Sequence, residues 1–361
     1  MKYISELARS LTPYVAGEQP SGGDWIKLNT NESPFPPAPG VANTIRSSAV
    51  IGERGELLRL YPDPDARELR EALAIYHNIS PDNLFIGNGS DEVLAFIFAA
   101  FFAGAPYATP AVGYSFYPSY ARLFRAETRF SAMGEGMAVD TEALLSQNAP
   151  VILANPNAPT TRALSRDAIL SMREALESRG RILVVDEAYA PFSDCSVIDR
   201  CAEYENLLVV RTFSKAHGLA GLRVGYAAGT RELIGCIARV RDSFNSYPVD
   251  SVAQAAAKAA VEDVAYVEDC VSKTRVIRDR SRDALVELGF TVFPSETNFL
   301  FVRHPGISGG ELFAALKERR ILVRHFGTPA LTDYLRISIG TDEQMTRALD
   351  AIREIITGRD A

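Results

Sequence analysis

One lysine stands out because of the residues around it. Lys215 follows a short apolar run, and mostly small or apolar residues separate it from a second basic residue, Arg223, eight positions later. A single Ser-Lys pair carries little information, since most lysines are exposed to solvent. A lysine amine in the right surroundings, however, attacks carbonyl groups and carries protons. The other motifs of the chain favour this second interpretation.

Three further motifs lie where strands are predicted to end. They are Gly87-Asn88-Gly89-Ser90-Asp91-Glu92, Asn155-Pro156-Asn157 and Val184-Val185-Asp186-Glu187-Ala188-Tyr189. A lysine amine, an aspartate, a tyrosine and a glycine-rich loop for an anion are the parts needed to hold pyridoxal phosphate. The combination therefore predicts a site for this cofactor.

Short apolar runs alternate with helical segments in the middle of the chain, at residues 151–154, 182–185 and 207–210. Continuous apolar strands are typical of a parallel sheet that is covered on both faces. Strands that alternate with helices predict a doubly wound α/β layer. Because ligands bind beyond the carboxyl ends of such strands, the polar residues that follow them should converge on one edge.

Three zones are predicted along the 361 residues. Residues 1–39 are rich in Pro, Gly, Asn and Ser and should form an arm with little regular structure. Residues 40–245 should form a large α/β domain that binds the cofactor. Residues 246–361 should form a small α+β domain, and one or two helices over 251–288 are interpreted as a bridge between the two domains. The arm is expected to pack with this small domain.

The glycine-rich motif predicts an anion site at the start of an apolar helix. The free N–H groups and the positive dipole end at Gly89 and Ser90 would hold the cofactor phosphate. Ser214 and Arg223 would add a hydroxyl group and a bidentate guanidinium. The alternative interpretation is a capped helix with Ser90 as N-cap. In the cofactor interpretation, the two carboxylates that follow Ser90 must point away from the phosphate.

Three side chains are predicted to act on the cofactor ring. Asp186 would pair with the pyridine nitrogen and keep it protonated, which makes the ring an electron sink. Tyr189 would donate a hydrogen bond to the phenolic oxygen of the ring. Lys215 would bond covalently to the cofactor and, once released by substrate, move the proton between carbon atoms. Taken singly, Asp186 could instead be a helix cap or surface residue, and Tyr189 a half-buried core residue.

Composition excludes several other classes. The net charge of −7 and the pI near 5.3 argue against a nucleic-acid-binding protein. The four cysteines show no Cys-x-x-Cys spacing, which predicts neither a metal site nor a disulfide framework and favours reduced thiols in the cytoplasm. No apolar run reaches membrane-spanning length, and the first residues show no signal-peptide pattern, so no membrane partner is expected.

Over nearly its whole length the chain resembles the fold-type-I pyridoxal-phosphate aminotransferases, and within them the histidinol-phosphate aminotransferase group. The motifs that carry the resemblance, besides those given above, are Leu11-Thr12-Pro13-Tyr14, Leu28-Asn29-Thr30-Asn31-Glu32-Ser33-Pro34, Tyr61-Pro62-Asp63-Pro64, Pro294-Ser295-Glu296-Thr297-Asn298 and Tyr334-Leu335-Arg336-Ile337-Ser338-Ile339-Gly340-Thr341. The resemblance implies transamination between L-histidinol phosphate and 2-oxoglutarate, giving imidazole acetol phosphate and glutamate in histidine biosynthesis.

The resemblance also implies further site residues. Tyr61 would reach the cofactor phosphate of a neighbouring subunit, which implies a homodimer with shared sites. Arg336 would bind the anionic group of the substrate, with Arg324, Tyr14 and Asn31 as helpers. The residues assigned to the cofactor are then Tyr61, Gly89, Ser90, Asp91, Tyr114, Asn157, Asp186, Tyr189, Thr212, Ser214, Lys215 and Arg223.

The chain departs from the family pattern at three places. Ala158 stands where an asparagine normally contacts the phenolic oxygen, so either Asn157 takes over or Tyr189 acts alone. Thr161 replaces a glycine in a turn that usually tolerates positive φ. His217 stands where an aromatic or apolar residue is usual, for which a packing role is expected.

Two other interpretations of the motifs remain open. An aromatic-amino-acid aminotransferase or a threonine-phosphate decarboxylase would share the lysine, the aspartate and the arginines. A transcriptional regulator with an aminotransferase-like domain would carry a basic DNA-binding domain in front, and the segment before Asp24 is too short for one.

Overall fold

The computed structural model describes residues 3–12 and 17–358, apart from the side chains of residues 48 and 49. The strands are β1 (Ile26–Lys27), β2 (Leu84–Gly87), β3 (Pro106–Pro110), β4 (Glu127–Ser131), β5 (Val151–Ala154), β6 (Leu183–Asp186), β7 (Leu207–Thr212), β8 (Gly225–Ala228), β9 (Thr291–Val292), β10 (Phe299–Arg303), β11 (Ile321–Leu322), β12 (Arg324–His325) and β13 (Leu335–Ser338).

The α-helices are α1 (Glu6–Ser10), α2 (Pro39–Arg46), α3 (Ser48–Ile51), α4 (Arg67–His77), α5 (Gly89–Ile97), α6 (Tyr117–Phe124), α7 (Thr141–Ser146), α8 (Arg166–Glu177), α9 (Arg231–Phe244), α10 (Ser251–Glu262), α11 (Val264–Glu287), α12 (Gly309–Glu318) and α13 (Asp342–Thr357). A π-helical turn, Phe98–Phe102, follows α5 directly. Short 3-10 helices occupy Glu56–Arg59, Pro81–Asn83, Glu135–Met137, Ala190–Phe192, Ile198–Arg200, Ala220–Leu222 and Pro329–Leu331. None of the described helices is long and apolar enough to cross a membrane.

A seven-stranded sheet in the order β2-β8-β7-β6-β5-β3-β4 forms the centre of the larger part of the molecule. All neighbouring strands run parallel except β8, which is antiparallel to both β2 and β7. Successive residues of each central strand point to opposite faces. Leu183 and Val185 therefore join the core under α8 and α10, whereas Val184 joins the core under α5 and α9. Burial on both faces explains the continuous apolar runs, and the predicted α/β fold is confirmed.

A four-stranded antiparallel sheet, in the order β12-β13-β10-β9, builds the smaller part with α11, α12 and α13. Its core includes Ile26 and Leu28 of the arm, because β1 pairs in parallel with β11. In the described part of residues 1–39, α1 and β1 precede the start of α2 at Pro39. Ile26 and Leu28 pack into the core of the small sheet, whereas Ala38 joins the core of the large sheet.

The division between residues 245 and 246 stays a prediction, but the packing differs from it at one place. Helix α10 contacts α2 and α4, and its buried residues belong to the core of the large sheet. The physical reason is its stripe of small side chains, including Ala253, Ala256 and Ala260, which lets the helix lie close to the large unit. The packing therefore favours a boundary between α10 and α11.

Candidate active site

A cavity of about 620 Å³ lies at the carboxyl ends of β5, β6 and β7 and extends to the small sheet and the arm. Most of the predicted site residues line it together, although they are far apart in the chain. These are Asn31, Ser90, Asp91, Tyr114, Asp186, Tyr189, Thr212, Ser214, Lys215, Arg223, Arg324 and Arg336. The predicted convergence on one edge of the sheet is what the topology produces.

Lys215 is held in a tight turn after β7. The Thr212 hydroxyl accepts a hydrogen bond from the backbone N–H of Ser214 at 3.2 Å, and the N–H of Gly218 donates to the Lys215 carbonyl at 3.2 Å. Gly218 has φ +67°, and a Cβ there would lie 3.2 Å from the Phe35 carbonyl oxygen. The Lys215 amine donates to the carbonyl of Thr30 at 3.1 Å. Burial, and then the nearby Arg336 charge, lower the pKa of Lys215 to about 8, which favours a neutral, nucleophilic amine.

Asp186 ends β6 and is buried. Its Oδ2 accepts a hydrogen bond from the Tyr117 hydroxyl at 3.0 Å, and its Oδ1 accepts one from the Ala188 N–H at 3.1 Å. Burial raises the pKa of Asp186 to about 6, whereas the bond from Tyr117 acts in the opposite direction. The carboxylate is thus a poorly solvated anion that would gain from a cationic partner in the cavity. Tyr117 was not predicted from the sequence.

Tyr189 lies between the sheet and the arm. Its hydroxyl accepts a hydrogen bond from Nδ2 of Asn31 at 2.9 Å, and its ring packs edge-on against Phe299 at 5.0 Å. The Lys215 nitrogen is 5.8 Å from the centre of the Tyr189 ring. Since its hydroxyl already accepts one hydrogen bond, its own proton remains available to an acceptor in the cavity.

The start of α5 forms an anion-binding cradle. Gly89 has φ +78°, and a Cβ at this position would lie 2.8 Å from Nη2 of Arg223. A Cβ on Gly225 would lie 2.3 Å from the backbone nitrogen of Ser90, so only glycine lets β8 approach the helix N-terminus this closely. The cradle, the nearby Ser214 hydroxyl and the guanidinium of Arg223 fit the phosphate of pyridoxal phosphate, although Gly89 itself does not line the cavity.

Asp91 and Glu92 were both expected to point away from the phosphate site, but only Glu92 turns away from the cavity. Glu92 turns back and accepts a hydrogen bond from the Asn88 N–H at 2.7 Å, away from the cavity. Asp91 instead lines the cavity and accepts hydrogen bonds from Tyr114 at 2.9 Å and Arg223 at 3.0 Å. The cationic Arg223 beside it is the physical reason, since it compensates the Asp91 charge.

Asn157 does not line the cavity, and its contact with the cofactor stays a prediction. It is fully buried, and its Nδ2 donates to the Val112 carbonyl at 2.9 Å and to the Thr160 hydroxyl at 2.8 Å. Its amide thus holds the surrounding loop in place, while Ala158 faces the cavity. The choice between Asn157 and Tyr189 alone as partner of the phenolic oxygen stays a prediction.

Thr161 and His217, the other two departures from the family pattern, lie outside the cavity wall. Thr161 adopts φ +68°, as expected for a position usually held by glycine, and its hydroxyl donates to the Pro294 carbonyl at 2.8 Å. His217 is buried with its ring 4.6 Å from that of Phe213. Burial and the Arg211 charge lower the pKa of His217 to about 4, which is consistent with the expected packing role.

Two arginines face the cavity from adjacent strands of the small sheet. Arg324 and Arg336 are directly opposite each other in the register of β12 and β13, so their side chains share one face. Arg336 donates to the carbonyl of Asn29 at 2.9 Å and lies 5.3 Å from the Phe299 ring centre. Among the described residues, five basic and three acidic side chains line the cavity, an excess of positive charge in a protein whose net charge is negative. Such a surface attracts anionic ligands.

Besides Gly89 and Asn157, Tyr61 is a third predicted and described residue that does not line the cavity. Tyr61 is 81% exposed, and its ring stacks on Tyr247 at 4.5 Å on the outer surface. Its role toward a neighbouring subunit therefore stays a prediction. Tyr14 lies outside the described residues.

Comparison with known proteins agrees with this geometry. The family model described as aminotransferase class I and II matches residues 23–352. A histidinol-phosphate aminotransferase of Chromohalobacter salexigens is 48% identical over 355 residues, 98% of this chain and 99% of that protein. Histidinol-phosphate aminotransferase 1 of Bradyrhizobium diazoefficiens is 47% identical over 98% of this chain and 99% of its own length.

Comparison with solved structures also finds an aminotransferase. Histidinol-phosphate aminotransferase from Sinorhizobium meliloti, in complex with pyridoxal-5'-phosphate, is similar with a TM-score of 0.88 and 30% identity, over 99% of each chain. The extent and identity of these matches show that the chain belongs to the class I and II aminotransferase family.

Proposed function

We propose that this protein is a pyridoxal-phosphate-dependent aminotransferase of histidine biosynthesis, which moves an amino group between L-histidinol phosphate and 2-oxoglutarate. The observation that carries the proposal is the cavity itself, which joins the Lys215 amine to the cross-strand pair of Arg324 and Arg336. The pair suits a substrate with a large anionic group, because a phosphate ester offers three acceptor oxygens.

The cofactor is pyridoxal phosphate, and the side chains around it have separate tasks in the proposal. Ser90, Ser214 and Arg223 hold its phosphate at the start of α5. Asp186 binds the protonated ring nitrogen, and Tyr189 donates a hydrogen bond to the phenolic oxygen. When bound, the cofactor supplies an electron sink that stabilises negative charge on the substrate carbon.

In the proposal, Lys215 is the group that transfers the proton. Its amine would hold the cofactor covalently, and when free it would take a proton from one carbon and return it to another. A pKa near 8 suits both the uptake and the return of the proton, because near physiological pH the amine is present in its neutral and in its protonated form. Arg336 orients the substrate so that the proton lies within reach of this amine.

The proposal includes a homodimer in the cytoplasm. The exposed Tyr61, together with Leu58 and Leu60 nearby, offers an apolar surface for a second copy of the chain. The four cysteines are free thiols, which suits a reducing compartment.

Product analysis tests the proposed function. Purified protein supplied with pyridoxal phosphate, L-histidinol phosphate and 2-oxoglutarate should release glutamate in a one-to-one ratio with the keto product. L-phenylalanine as amino donor tests the aromatic aminotransferase alternative, and carbon dioxide release from L-threonine phosphate tests the decarboxylase alternative. Glutamate formed only from phenylalanine, or carbon dioxide from threonine phosphate, would move the assignment to that alternative.

A further inference from the structure

One short piece of the arm contacts three key side chains of the site at once. Residues 29, 30 and 31 each supply one hydrogen bond. The three bonds are from Arg336 Nη2 to the Asn29 carbonyl at 2.9 Å, from Lys215 Nζ to the Thr30 carbonyl at 3.1 Å, and from Asn31 Nδ2 to the Tyr189 hydroxyl at 2.9 Å. Two backbone carbonyls and one side-chain amide of this piece therefore link the guanidinium, the amine and the phenol.

An ion pair closes the turn that contains these residues. Lys27 Nζ lies 2.5 Å from both carboxylate oxygens of Glu32 and donates to the Thr30 hydroxyl at 2.9 Å. The same hydroxyl donates to Oε2 of Glu32 at 2.8 Å. Lys27, Thr30 and Glu32 thus form a closed ring of hydrogen bonds, which we term the arm clamp, and Thr30 belongs to both the clamp and the Lys215 contact.

The other side of the turn is anchored on the small sheet. The Asn31 N–H donates to the Ser338 hydroxyl at 2.8 Å, and the Asn31 carbonyl accepts from Nδ2 of Asn298 at 3.1 Å. Asn31 adopts φ +55°, a left-handed conformation that surrounding contacts must maintain. The arm clamp and these anchors fix the turn from opposite ends.

The clamp also places charge beside the amine. Glu32 lines the same cavity as Lys215. The charged groups that act on Lys215 are Arg336 and Arg223, which disfavour its protonated form, and Glu32 and Asp91, which favour it. Burial alone would raise the pKa of Glu32, but the hydrogen bonds from Lys27 and Thr30 hold it below its usual range, so Glu32 is an anion.

We propose that the Lys27–Glu32 ion pair is a positioning device for the site. Through the turn of residues 29–31, it holds the Lys215 amine, the Tyr189 hydroxyl and the Arg336 guanidinium in fixed positions relative to one another. The proposal rests on the transamination proposed above. Neither Lys27 nor Glu32 needs to touch substrate; both act through the turn of residues 29–31, and Glu32 acts also through its charge beside Lys215.

Glu32→Gln and Lys27→Met test the device, with Glu18→Gln as matched control. Glu18 is another arm carboxylate paired with a lysine, Lys317, at 2.7 Å, but its side chain lies outside the cavity wall. Each clamp variant should lower kcat about 10- to 100-fold, since small misplacements of reacting groups have effects of this size. KM should also rise, because the same turn positions the Arg336 guanidinium, and Glu18→Gln should behave as wild type. The double variant should lose no more than the worse single variant, because the pair acts as one unit.

A second readout uses the protein without cofactor. The pH dependence of the rate at which an amine-directed reagent labels Lys215, followed by peptide mass spectrometry, reports the pKa of this amine. Loss of the Glu32 charge should move the labelling midpoint below that of the wild type, whereas Glu18→Gln should leave it in place. Wild-type kcat and an unshifted midpoint in Glu32→Gln would overturn the proposal.

Two further outcomes are distinguishable. A loss of activity in Glu32→Gln that parallels a lower Tm, with an unshifted labelling midpoint, would mean that the ion pair only stabilises the fold, and would also overturn the proposal. Failure of the wild-type protein to use L-histidinol phosphate would instead refute the proposed function. The labelling profile would in that case still report whether the clamp acts on Lys215.

Discussion

The hydroxyl of Tyr117 donates a 3.0 Å hydrogen bond to Oδ2 of Asp186, and both side chains are almost completely buried. Tyr117 lies at the start of α6, whereas Asp186 ends a central strand of the sheet. The bond stabilises the ionised carboxylate in a place where burial disfavours it. A tyrosine behind the aspartate thus helps to keep it anionic, as a partner for a protonated ring nitrogen requires.

Tyr117→Phe should therefore raise the pKa of Asp186 further above its usual range. In the holoenzyme, kcat should fall at the acidic end of the pH profile and recover as the pH rises, because more of the carboxylate is then ionised. The measurement is kcat against pH for both proteins. Tyr120→Phe, which removes the hydroxyl of another buried tyrosine of α6, is a suitable control. A Tyr117→Phe profile that coincides with that of the wild type would contradict this role.

Asp186 should also make the stability of the cofactor-free protein depend on pH. Its folded-state pKa, about 6, lies above the ordinary value of 3.8, so the group contributes stability that is fully present below pH 3.8 and lost as the pH rises through 6. The difference corresponds to about 3 kcal/mol. Urea unfolding of the wild type and Asp186→Asn between pH 4 and 7 should show this contribution in the wild type only. Parallel curves for the two proteins would rule it out.

Lys215→Ala should abolish turnover while the protein stays folded. Loss of the proton-transferring amine should lower kcat by at least about 10²- to 10⁴-fold. The measurement is turnover with L-histidinol phosphate, together with Tm and circular dichroism. Lys317→Ala, a lysine of the small domain outside the cavity, controls for loss of a positive charge. A substantial residual rate in a folded Lys215→Ala protein would disprove the assignment of this lysine.

Arg336→Ala should weaken binding of the anionic end of the substrate. The loss of a charge partner in a partly buried site costs about 2–5 kcal/mol, which should appear mainly as a higher KM. Arg319→Ala, at an exposed position just after α12, is the matched control. If KM stayed unchanged for both the amino donor and the acceptor, Arg336 would not be the anchor.

Gly225→Ala should weaken cofactor binding. The added Cβ would lie 2.3 Å from the Ser90 nitrogen and force β8 away from the start of α5. Overpacking of this kind costs about 1–3 kcal/mol, here expressed as a higher Kd for pyridoxal phosphate. Gly221→Ala is the control, because a Cβ added there would meet open space. Equal Kd values in the two variants would show that the close approach does not matter for the cofactor.

The sequence predicts the sheet and the residues at its edge because both depend on local pattern. The apolar runs at 151–154, 182–185 and 207–210 coincide with β5, β6 and β7 to within a few residues. Asp186 and Lys215 follow from their positions after these strands. Strand β8 was not identified, since a four-residue antiparallel strand has no distinct periodicity.

The contacts between distant parts of the chain could not be predicted. Thr30 and Lys215 are 185 residues apart and meet only because β1 pairs with β11 and carries the arm to the site. The hydrogen bond from the Asn157 amide to the Val112 carbonyl of another loop is a contact of the same kind. Only the tertiary packing shows that Tyr117, rather than a tyrosine nearby in the chain, reaches Asp186.

The most direct test of the central claim is the change in visible absorbance of the cofactor-loaded protein on rapid mixing with L-histidinol phosphate or with L-phenylalanine. Covalent attachment of the cofactor to Lys215 should give a coloured protein. L-histidinol phosphate should discharge this colour at a far lower concentration than L-phenylalanine, because Arg324 and Arg336 are proposed to bind its phosphate. A response to phenylalanine alone would contradict the phosphate-bearing substrate, and a protein that never becomes coloured would contradict the role of Lys215.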